Sequence, residues 1–406
     1  MTAAPEGGHH LVIEDPEPAC PACEIRMRSL GVLGAPDDAR LLREFPGSII
    51  RDSRGQVYAV VPALDHEVLV YDPDGGQRRT LGSLGEGPGE YRRPLALALG
   101  PGDSVYLAHD GSRMTVFDPD GELVRTFRLP GALRNNFLVE SNGHILMAGA
   151  VADPEPVEAP LHLLSPEGHL LRSFGDRVPL RRTPSGGLST SSFARVLFAA
   201  APESFWVTEP FVRPRRSEAE PPPMLRLSRY NVGGELGLTV DLRPPADTRL
   251  DDGGALALGP RSGRIIREVQ EELIAMGEGS SVLLQRPTGP LLPFEPAGVS
   301  SVHGEQTIVV SRFQRRDLDP DALEFERPGA GRLHIAEESL LRIYSTLIDV
   351  VDLNAGLLLV RWTVPGYGWL LQDGTLVMMR VSDEGIFQLE LFELVIEELA
   401  WERTGS

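Results

Sequence analysis

VYAVVPALDHEVLVYDPDGGQRRTLG at residues 57–82 and VYLAHDGSRMTVFDPDGELVRTFRLPG at residues 105–131 are two copies of one sequence phrase. Each copy contains two β-rich runs, a DPDG turn and a further strand with an Arg-Thr pair. A short apolar run precedes each copy, at residues 46–52 and 95–99, so that the repeating unit has four strands. Four antiparallel strands in each sequence repeat are typical of a β-propeller blade.

Four weaker copies follow, in residues 145–176, 205–242 and 307–362 and in a final stretch that ends near Leu394. The third strands of the six copies read VLVYD, MTVFD, LHLLS, RLSRY, LIDVV and LELFE. The sequence therefore predicts an all-β fold, a six-bladed β-propeller of four-stranded antiparallel blades.

The last copy lacks an outer strand, and the N-terminus contains a segment that can supply it. Arg28-Ser-Leu-Gly31 repeats the phrase Arg79-Thr-Leu-Gly82 that closes the first blade. Apolar and arginine side chains alternate at residues 25–28, as in a strand with one buried face. We expect residues 24–33 to pair antiparallel with the strand near residues 387–394 and to cover its open edge.

The propeller is expected to span residues 24–398, between an N-terminal tail at residues 1–23 and a C-terminal tail at residues 399–406. The first 18 residues are polar and rich in proline, so we expect them to be unpaired, with His9 and His10 in a disordered terminus.

Residues 255–300, between the fourth and fifth blades, are expected to form an insertion with one short helix. In residues 263–276 the apolar side chains form one helical stripe of Ile265, Ile266, Val269, Leu273 and Ile274. Such a helix either acts as a lid or partner-binding element or caps exposed core. The Pro-rich residues 213–223 are expected to form an exposed loop of blade 4.

The connections between strands fall into two classes of length. DSRG, GPGD, SNG, DPDG and PEG are tight hairpin turns, whereas the other connections are long and carry the insertions. In a four-stranded blade, the long connections share one face of the propeller. We expect this loop-rich face to bind a ligand, because loops on a rigid scaffold often carry function.

Composition excludes several classes of function. Asp and Glu outnumber Lys and Arg by 58 to 39, which gives a net charge of -19 over 406 residues and argues against nucleic acid as a partner. Every basic residue is Arg, so P-loop and Schiff-base lysine chemistry are excluded. No apolar run approaches the ~20 residues of a membrane-spanning helix, and we expect a soluble chain.

Residues 81–121 resemble the NHL-type repeat and the bacterial six-bladed β-propeller proteins related to it. The resemblance rests on a Gly-rich loop between blades, Tyr91, Pro94 at the start of the inner strand, and Arg113 ahead of Val116-Phe-Asp118. It is strongest in the first two blades. The resemblance implies a propeller that binds a ligand, and it fixes no activity because one fold hosts many functions.

Polar side chains recur in the loop after the second strand of each blade. The candidate ligand-binding residues are Asp65, His66, His109, Asp110, Asp153, Glu209, Arg312, Asp383 and Glu384. Carboxylates from five of the six blades could meet at the channel mouth and hold Ca²⁺ through oxygen ligands, or bind a cationic partner. Loops are also polar because they face water, so the pattern leaves ordinary solvation open.

The two cysteines, Cys20 and Cys23, lie close together in PACPAC at residues 18–23. This CxxC motif is not followed by the histidine of a c-type haem site, and the chain has no second cysteine pair to complete a zinc site. It fits a disulfide clip, a redox pair or half of an intermolecular metal site, and the lack of a surrounding βαβ pattern favours the clip. The CxxC and the family resemblance are compatible with an extracytoplasmic location, but no secretory signal begins the sequence, so the sequence leaves the compartment open.

Local motifs of common enzyme classes are absent from the sequence. GEGPG at residues 85–89 precedes a strand, where a dinucleotide site requires a helix, and neither HExxH nor GxSxG occurs. The preferred hypothesis is a non-enzymatic, cofactor-free, monomeric propeller whose loop-rich face binds a protein, peptide or glycan. The alternative is a divalent-metal-dependent enzyme, a lactonase-like hydrolase or a lyase, with Ca²⁺ in the acidic ring.

Overall fold

A computed structural model gives the fold of the chain. The structure describes residues 8–13, 18–34, 47–61, 67–75, 78–152, 156–157, 159–176, 180–182, 188–190, 197–201, 203–208, 225–242, 264, 268, 271, 283–285, 294–302, 306–315, 324–329, 332–335, 339, 341–342, 344–381 and 387–397.

The chain forms the expected six-bladed propeller of antiparallel four-stranded sheets. From the innermost strand outward, blade 1 contains Ser48–Arg51, Val57–Val61, Glu67–Tyr71 and Arg78–Thr80, and blade 2 contains Pro94–Leu99, Val105–His109, Arg113–Phe117 and Leu123–Arg128. Blade 3 contains Gly131–Val139, Ile145–Ala152, Leu161–Leu164 and Leu170–Phe174 in the same order. The short strand Pro156–Val157 also pairs with the second strand of blade 3.

The other three blades follow the same order from the innermost strand outward. Blade 4 contains Leu197–Ala201, Ser204–Thr208, Leu225–Asn231 and Leu236–Leu242. Blade 5 contains Phe294–Val302, Thr307–Arg315, Tyr344–Asp352 and Leu357–Pro365. Blade 6 contains Gly368–Leu370, Leu376–Val381, Phe387–Glu397 and, from the N-terminus, Glu24–Leu33.

The hydrophobic core lies between the blades rather than within one of them. The innermost strands of successive blades contact each other in chain order, and a separate cluster of buried side chains fills each of the six interfaces. Val70 packs with Leu107 between blades 1 and 2, and Leu69 with Val377 between blades 1 and 6. The buried apolar area at each interface holds the ring together, because its removal from water is favourable.

The predicted closing strand is confirmed. Glu24–Leu33, here β2, pairs antiparallel with Phe387–Glu397 over nearly its whole length. Met27 lies opposite Leu394, and Leu33 lies opposite Leu389. The last blade therefore contains strands from both ends of the sequence, and the ring is closed by backbone hydrogen bonds as well as by packing.

The expectation that residues 1–18 are unpaired is wrong for residues 9–13. His9–Ile13, here β1, forms a parallel fifth strand on the outer edge of blade 4, where His9 aligns with Leu238 and Ile13 with Leu242. Ile13 is only 3% exposed and packs in the cluster between blades 4 and 5. This strand is held by packing that local sequence features do not reveal, because its partner lies far along the chain.

A buried carboxylate anchors β1. The Asp241 carboxylate accepts hydrogen bonds of 2.7 and 2.8 Å from the Arg226 guanidinium, and the His10 Nε2 atom lies 2.9 Å from it. Burial alone would raise the pKa of Asp241, but the hydrogen bonds and charges of Arg226 and His10 hold it below its usual value.

The segment between β1 and β2 covers the outer edge of blade 5. The backbone N–H groups of Ala19 and Cys20 donate to the carbonyls of Leu358 and Leu359, at 2.9 and 3.1 Å. Cys20 and Cys23 are joined by a disulfide just before β2 begins, as the clip interpretation expects. We call residues 9–33 the N-terminal strap, because its described parts contact the outer edges of blades 4 and 5 and complete blade 6.

The repeated Arg phrase of the outermost strands has a packing role. In blade 1, Arg79 Nη1 donates to the carbonyl of Asp120, in the tight turn of blade 2, at 3.4 Å. In blade 3, Arg172 donates to the carbonyl of Gly233, in the turn of blade 4. The adjacent Gly234 has a φ of 81°, and a Cβ there would lie 2.8 Å from Phe174. The outermost strands of blades 1 and 3 therefore each support a turn of the next blade.

The two faces of the ring differ as expected. On the tight-turn face, the Asp118 Oδ1 atom accepts from the N–H groups of Asp120 and Glu122, which explains the DPDG turn. A 3₁₀ turn, Pro101–Asp103, lies on the same face. The loop-rich face carries the remaining strands, which are Ser83–Leu84 with Glu90–Tyr91, Leu180–Arg182 with Leu188–Thr190, and Leu283–Gln285 with Arg332–Ile335 and Phe325–Gly329.

The five apolar residues of the predicted helical stripe and the loop at residues 213–223 lie outside the described residues. Arg264, Glu268 and Glu271 are helical and exposed, as the polar side of that helix should be. The innermost strand of blade 5 starts at Phe294, within the range assigned to the insertion. Among the described residues, no helix is long and apolar enough to span a membrane.

Candidate functional site

Three of the predicted site residues lie in the described part of the chain. These are His109, Asp110 and Arg312, whereas Asp65, His66, Asp153, Glu209, Asp383 and Glu384 lie outside it. His109 and Asp110 lie side by side where the second strand of blade 2 reaches the loop-rich face. Arg312 lies in another blade.

His109 is a buried member of a polar row that crosses blade 2. It is 1% exposed, and its Nε2 atom lies 2.9 Å from Thr115 Oγ1, which lies 3.1 Å from Thr126 Oγ1. Its Nδ1 atom lies 3.3 Å from the Asp110 carboxylate. Burial lowers the pKa of His109, and Asp110 only partly offsets that shift. The ring is therefore neutral near pH 7 and positions Asp110.

Asp110 and Arg93 share an unusual backbone arrangement at the loop-rich face. Both have a positive φ, of 50° and 43°, in a region that non-glycine residues rarely adopt. The Asp110 N–H lies 3.4 Å from the Arg93 carbonyl, and Arg93 Nε lies 3.8 Å from the Asp110 carboxylate. The two residues hold each other in place, with Arg93 mostly exposed.

Two further arginines lie opposite each other on the neighbouring strands of blade 2. Arg113 begins the third strand, Arg128 ends the outermost strand, and the two are aligned in the sheet register. Arg92 also lies here and forms a 2.7 Å ion pair with Glu86. We call the group of Arg92, Arg93, Arg113 and Arg128 the arginine corner. Sequence analysis singled out only Arg113.

Tyr91 fixes the loop that carries Arg92 and Arg93. Its buried hydroxyl donates to the carbonyl of Leu81 at 2.7 Å and accepts from the N–H of Val68 at 3.0 Å. Burial raises the pKa of Tyr91 to about 12, so the hydroxyl stays protonated and keeps its donor role. The aromatic residue of the Gly-rich loop is therefore a structural support for the corner.

Arg312 lies within a strand and not in the following loop, where its position in the repeat suggested. It lies within the strand Thr307–Arg315, is 1% exposed, and forms an ion pair with Asp349 on the next strand. Arg361 Nε donates to the same carboxylate at 2.7 Å. Asp349 is thus held between two guanidinium groups inside blade 5, which is the pattern of a structural ion-pair network.

Aromatic side chains support the loop-rich face where blade 5 meets blade 6. The rings of Phe313 and Tyr367 stack with centroids 3.7 Å apart, and Tyr344 packs against both. Trp369, on the innermost strand of blade 6, is half-buried beside Tyr367. The sequence analysis did not select this group, although the Tyr-Gly-Trp run at residues 367–369 marks it.

The described ranges of the chain bear on the metal-binding alternative. Within those ranges, no three His, Cys, Asp or Glu side chains are grouped so that they could hold a metal ion. The acidic ring itself stays a prediction, since most of its members fall outside those ranges.

The buried His162 of blade 3 makes the stability of the fold depend on pH. Its Nδ1 accepts from the Ser173 hydroxyl at 2.8 Å, its Nε2 donates to the Gly149 carbonyl at 3.2 Å, and burial lowers its pKa to about 4. The unfolded chain binds this proton more readily, so stability should fall as the pH drops from about 6.5 towards 4. Between pH 7 and 5 the expected loss is about 2 kcal/mol.

Urea unfolding of the wild-type chain and the His162→Gln variant at both pH values measures this contribution. The variant should lose this part of the pH dependence, whereas His169→Gln, at an exposed site in the same blade, should keep it. Equal pH dependence in the wild type and His162→Gln would contradict the assignment.

Comparisons with known proteins bear on the fold. Neither a protein-family model nor a curated protein matches the sequence. Among solved structures, the chain is similar to a "putative exported protein" from Bacteroides fragilis NCTC 9343, at 11% identity over 96% of this chain and 99% of that chain, with a TM-score of 0.51. A member of the DUF4221 family from Bacteroides vulgatus shares 10% identity over 92% of this chain and 99% of its own, with a TM-score of 0.49. At such low identity, the first likeness shows a shared propeller fold.

Proposed function

We propose that the protein is a non-enzymatic binding propeller that uses its loop-rich face to bind a protein, peptide or glycan. The observation that supports this proposal most strongly is the difference between the two faces of the ring. One face is closed by short turns with internal hydrogen bonds, and the other carries the long connections, three small extra sheets and the arginine corner. A rigid ring that presents variable loops on one face is a common arrangement for ligand binding.

The chemistry of the best-described candidates supports binding over catalysis. A general base must reach the proton that it abstracts, yet His109 is buried with both ring nitrogens next to protein atoms. Arg93 and Arg128, in contrast, extend exposed guanidinium groups from the same face. The resemblance to NHL-type propellers also favours a binding role, and we propose a distant relation to them.

A matched pair of glycines allows the two faces to be compared. Gly111 lies beside Asp110 on the loop-rich face and Gly102 on the tight-turn face, and a Cβ at either position would meet no atom within 4 Å. Both have positive φ values, 78° and 64°, so a side chain should strain each site similarly. A photo-crosslinking phenylalanine at each position would report which face a ligand contacts.

The probes are a random dodecapeptide phage library and a glycan array. Ligands selected on the wild-type chain should crosslink at position 111 and fail to crosslink at position 102. Preferential crosslinking at position 102, or selection of no ligand from either set, would contradict the proposal.

The effect of calcium on the melting temperature distinguishes the proposed binding function from the metal-dependent enzyme. If the acidic ring holds a divalent cation in an enzyme, calcium should raise the melting temperature, and Asp110→Asn combined with Asp383→Asn should remove that response. We expect no calcium response. A shift that the double variant abolishes would favour the metal-dependent enzyme.

We also infer that the protein works in an oxidising compartment. The Cys20–Cys23 disulfide supports this, because disulfides persist in secreted and periplasmic proteins and are rare in reducing compartments. Thiol labelling of the protein from its native source should find both cysteines oxidised, and free thiols there would contradict the inference.

A further inference from the structure

The arginine corner contains a like-charge pair for which no described residue supplies a counterion. Arg113 and Arg128 face each other across adjacent antiparallel strands, where like charges destabilise a sheet. Within the described ranges, neither forms an ion pair, although acidic residues outnumber arginines in this chain. Their Coulomb repulsion would fall if an anionic group bound between them.

The surroundings of the pair extend the positive surface along the end of blade 2. Arg93 lies at the start of the innermost strand and Arg128 at the end of the outermost, so the basic residues run from the channel side to the rim. Asp110 and Glu86 are the only carboxylates described in contact with them. Four guanidinium groups thus face two carboxylates in a strongly acidic chain.

We propose that the arginine corner binds the carboxylate side chains of an acidic peptide segment. This inference rests on the proposed binding function and names the chemistry of the partner at that face. Guanidinium groups suit this ligand because their planar donors match the two oxygens of a carboxylate. Arg113 and Arg128 would hold one carboxylate, and Arg93 would hold another nearer the channel.

The outer edge of blade 2 favours a peptide over other polyanions. In the strand Leu123–Arg128, Leu123 and Val124 are 38% and 56% exposed, and no described strand pairs with its outer side. An extended peptide can add to such an edge through backbone hydrogen bonds and cover its apolar side chains. The parallel pairing of β1 with blade 4 shows that a blade edge in this propeller accepts a further strand.

The net charge of the chain argues against a nucleic acid at this site. A long polyanion would extend beyond the corner over a surface whose overall charge is -19 and would be repelled there. A short segment with a few carboxylates can bind at the corner alone.

A fluorescein-labelled octaglutamate peptide tests the proposal by fluorescence anisotropy. The wild-type chain should bind it at low salt, and a matching octaglutamine peptide should bind far more weakly. The double variant Arg113→Gln/Arg128→Gln should lose at least about tenfold in affinity, since each guanidinium contributes charge-assisted hydrogen bonds. The control variant Arg26→Gln/Arg28→Gln removes the same charge from exposed positions of β2 and should bind like the wild type.

Three results would overturn the proposal. They are equal losses in the two double variants, no octaglutamate binding by the wild type, or tighter binding of single-stranded DNA or polygalacturonate than of octaglutamate. If any of these three results is found while selected ligands still crosslink at position 111, only the acidic-peptide inference fails. Loss of the preference for position 111 would instead contradict the proposed function itself.

Discussion

Deletion of residues 1–34 is expected to lower the stability of the propeller by more than about 5 kcal/mol and to cause aggregation. The deletion removes β2, so the strand Phe387–Glu397 loses its backbone partners and becomes an open edge. It also removes Ile13, Ile25 and Leu33, which are buried in three different interfaces between blades. Burying each such side chain contributes roughly 1.5–3 kcal/mol.

A shorter deletion separates the two strands of the strap. Removal of residues 1–18 takes away β1, including Ile13 and the His10 contact to Asp241, and should cost about 2–4 kcal/mol. Thermal unfolding and size-exclusion chromatography of the three chains provide the measurement. Equal stability of the wild type and the 1–34 deletion would show that the N-terminus does not close the ring.

Substitution Asp349→Ala is expected to be the most damaging single change in blade 5, with a loss of about 3–5 kcal/mol. Asp349 is fully buried and is the shared partner of Arg312 and Arg361. Without it, the guanidinium of Arg312, which is 1% exposed, would stay inside the blade beside a second cation. Burying an uncompensated charge is costly, because the low-dielectric interior replaces its hydration poorly.

Chemical denaturation of three variants measures this effect. Glu24→Ala breaks the exposed pair with Arg26 and should change stability by less than about 1 kcal/mol. Asp349→Ala combined with Arg312→Met should recover part of the loss, because the buried cation is removed as well. A loss of less than about 1 kcal/mol in Asp349→Ala alone would contradict the assigned role.

The blades and the closing strand could be predicted from the sequence because their signals are local or repeated. The DPDG turn between alternating strands occurs twice, at residues 72–75 and 118–121, and the phrase Arg28-Ser-Leu-Gly31 copies an outermost strand. The repeated phrase has a physical basis, since Arg79 and Arg172 reach the turns of the following blades.

The strand β1 was missed because its pairing depends on residues more than two hundred positions away. A short run of five residues carries little propensity of its own, and tertiary contacts decide its state. One signal was present in blade 4, whose outermost strand contains Leu238, Val240 and Leu242. All three are buried, whereas the outermost strand of blade 2 is largely exposed. An apolar outer strand indicates that another segment covers it.

The candidate site was predicted in part. His109 and Asp110 were placed together because they adjoin in sequence, and the second strand of blade 2 ends at His109. Arg312 was misplaced because the second strand of blade 5 has nine residues against five in blade 2. The alignment of the repeats therefore assigned Arg312 to the loop, although it lies within the longer strand. The alignment of Arg113 with Arg128 depends on a bulge in the sheet register, which the sequence does not specify.

Amide hydrogen exchange measures most directly whether the N-terminal strap is an integral part of the ring. If it is, the amides of His9–Ile13 and Glu24–Leu33 that donate to the paired blade strand should be protected, because each strand pairs with a blade edge on one side. The amides of Phe387–Glu397 that donate to Glu24–Leu33 should be protected to a similar degree, since detachment of β2 breaks these hydrogen bonds together. Exchange of both strap segments at the rate of an unstructured chain, beside protected inner strands, would contradict the closure of the ring by its own N-terminus.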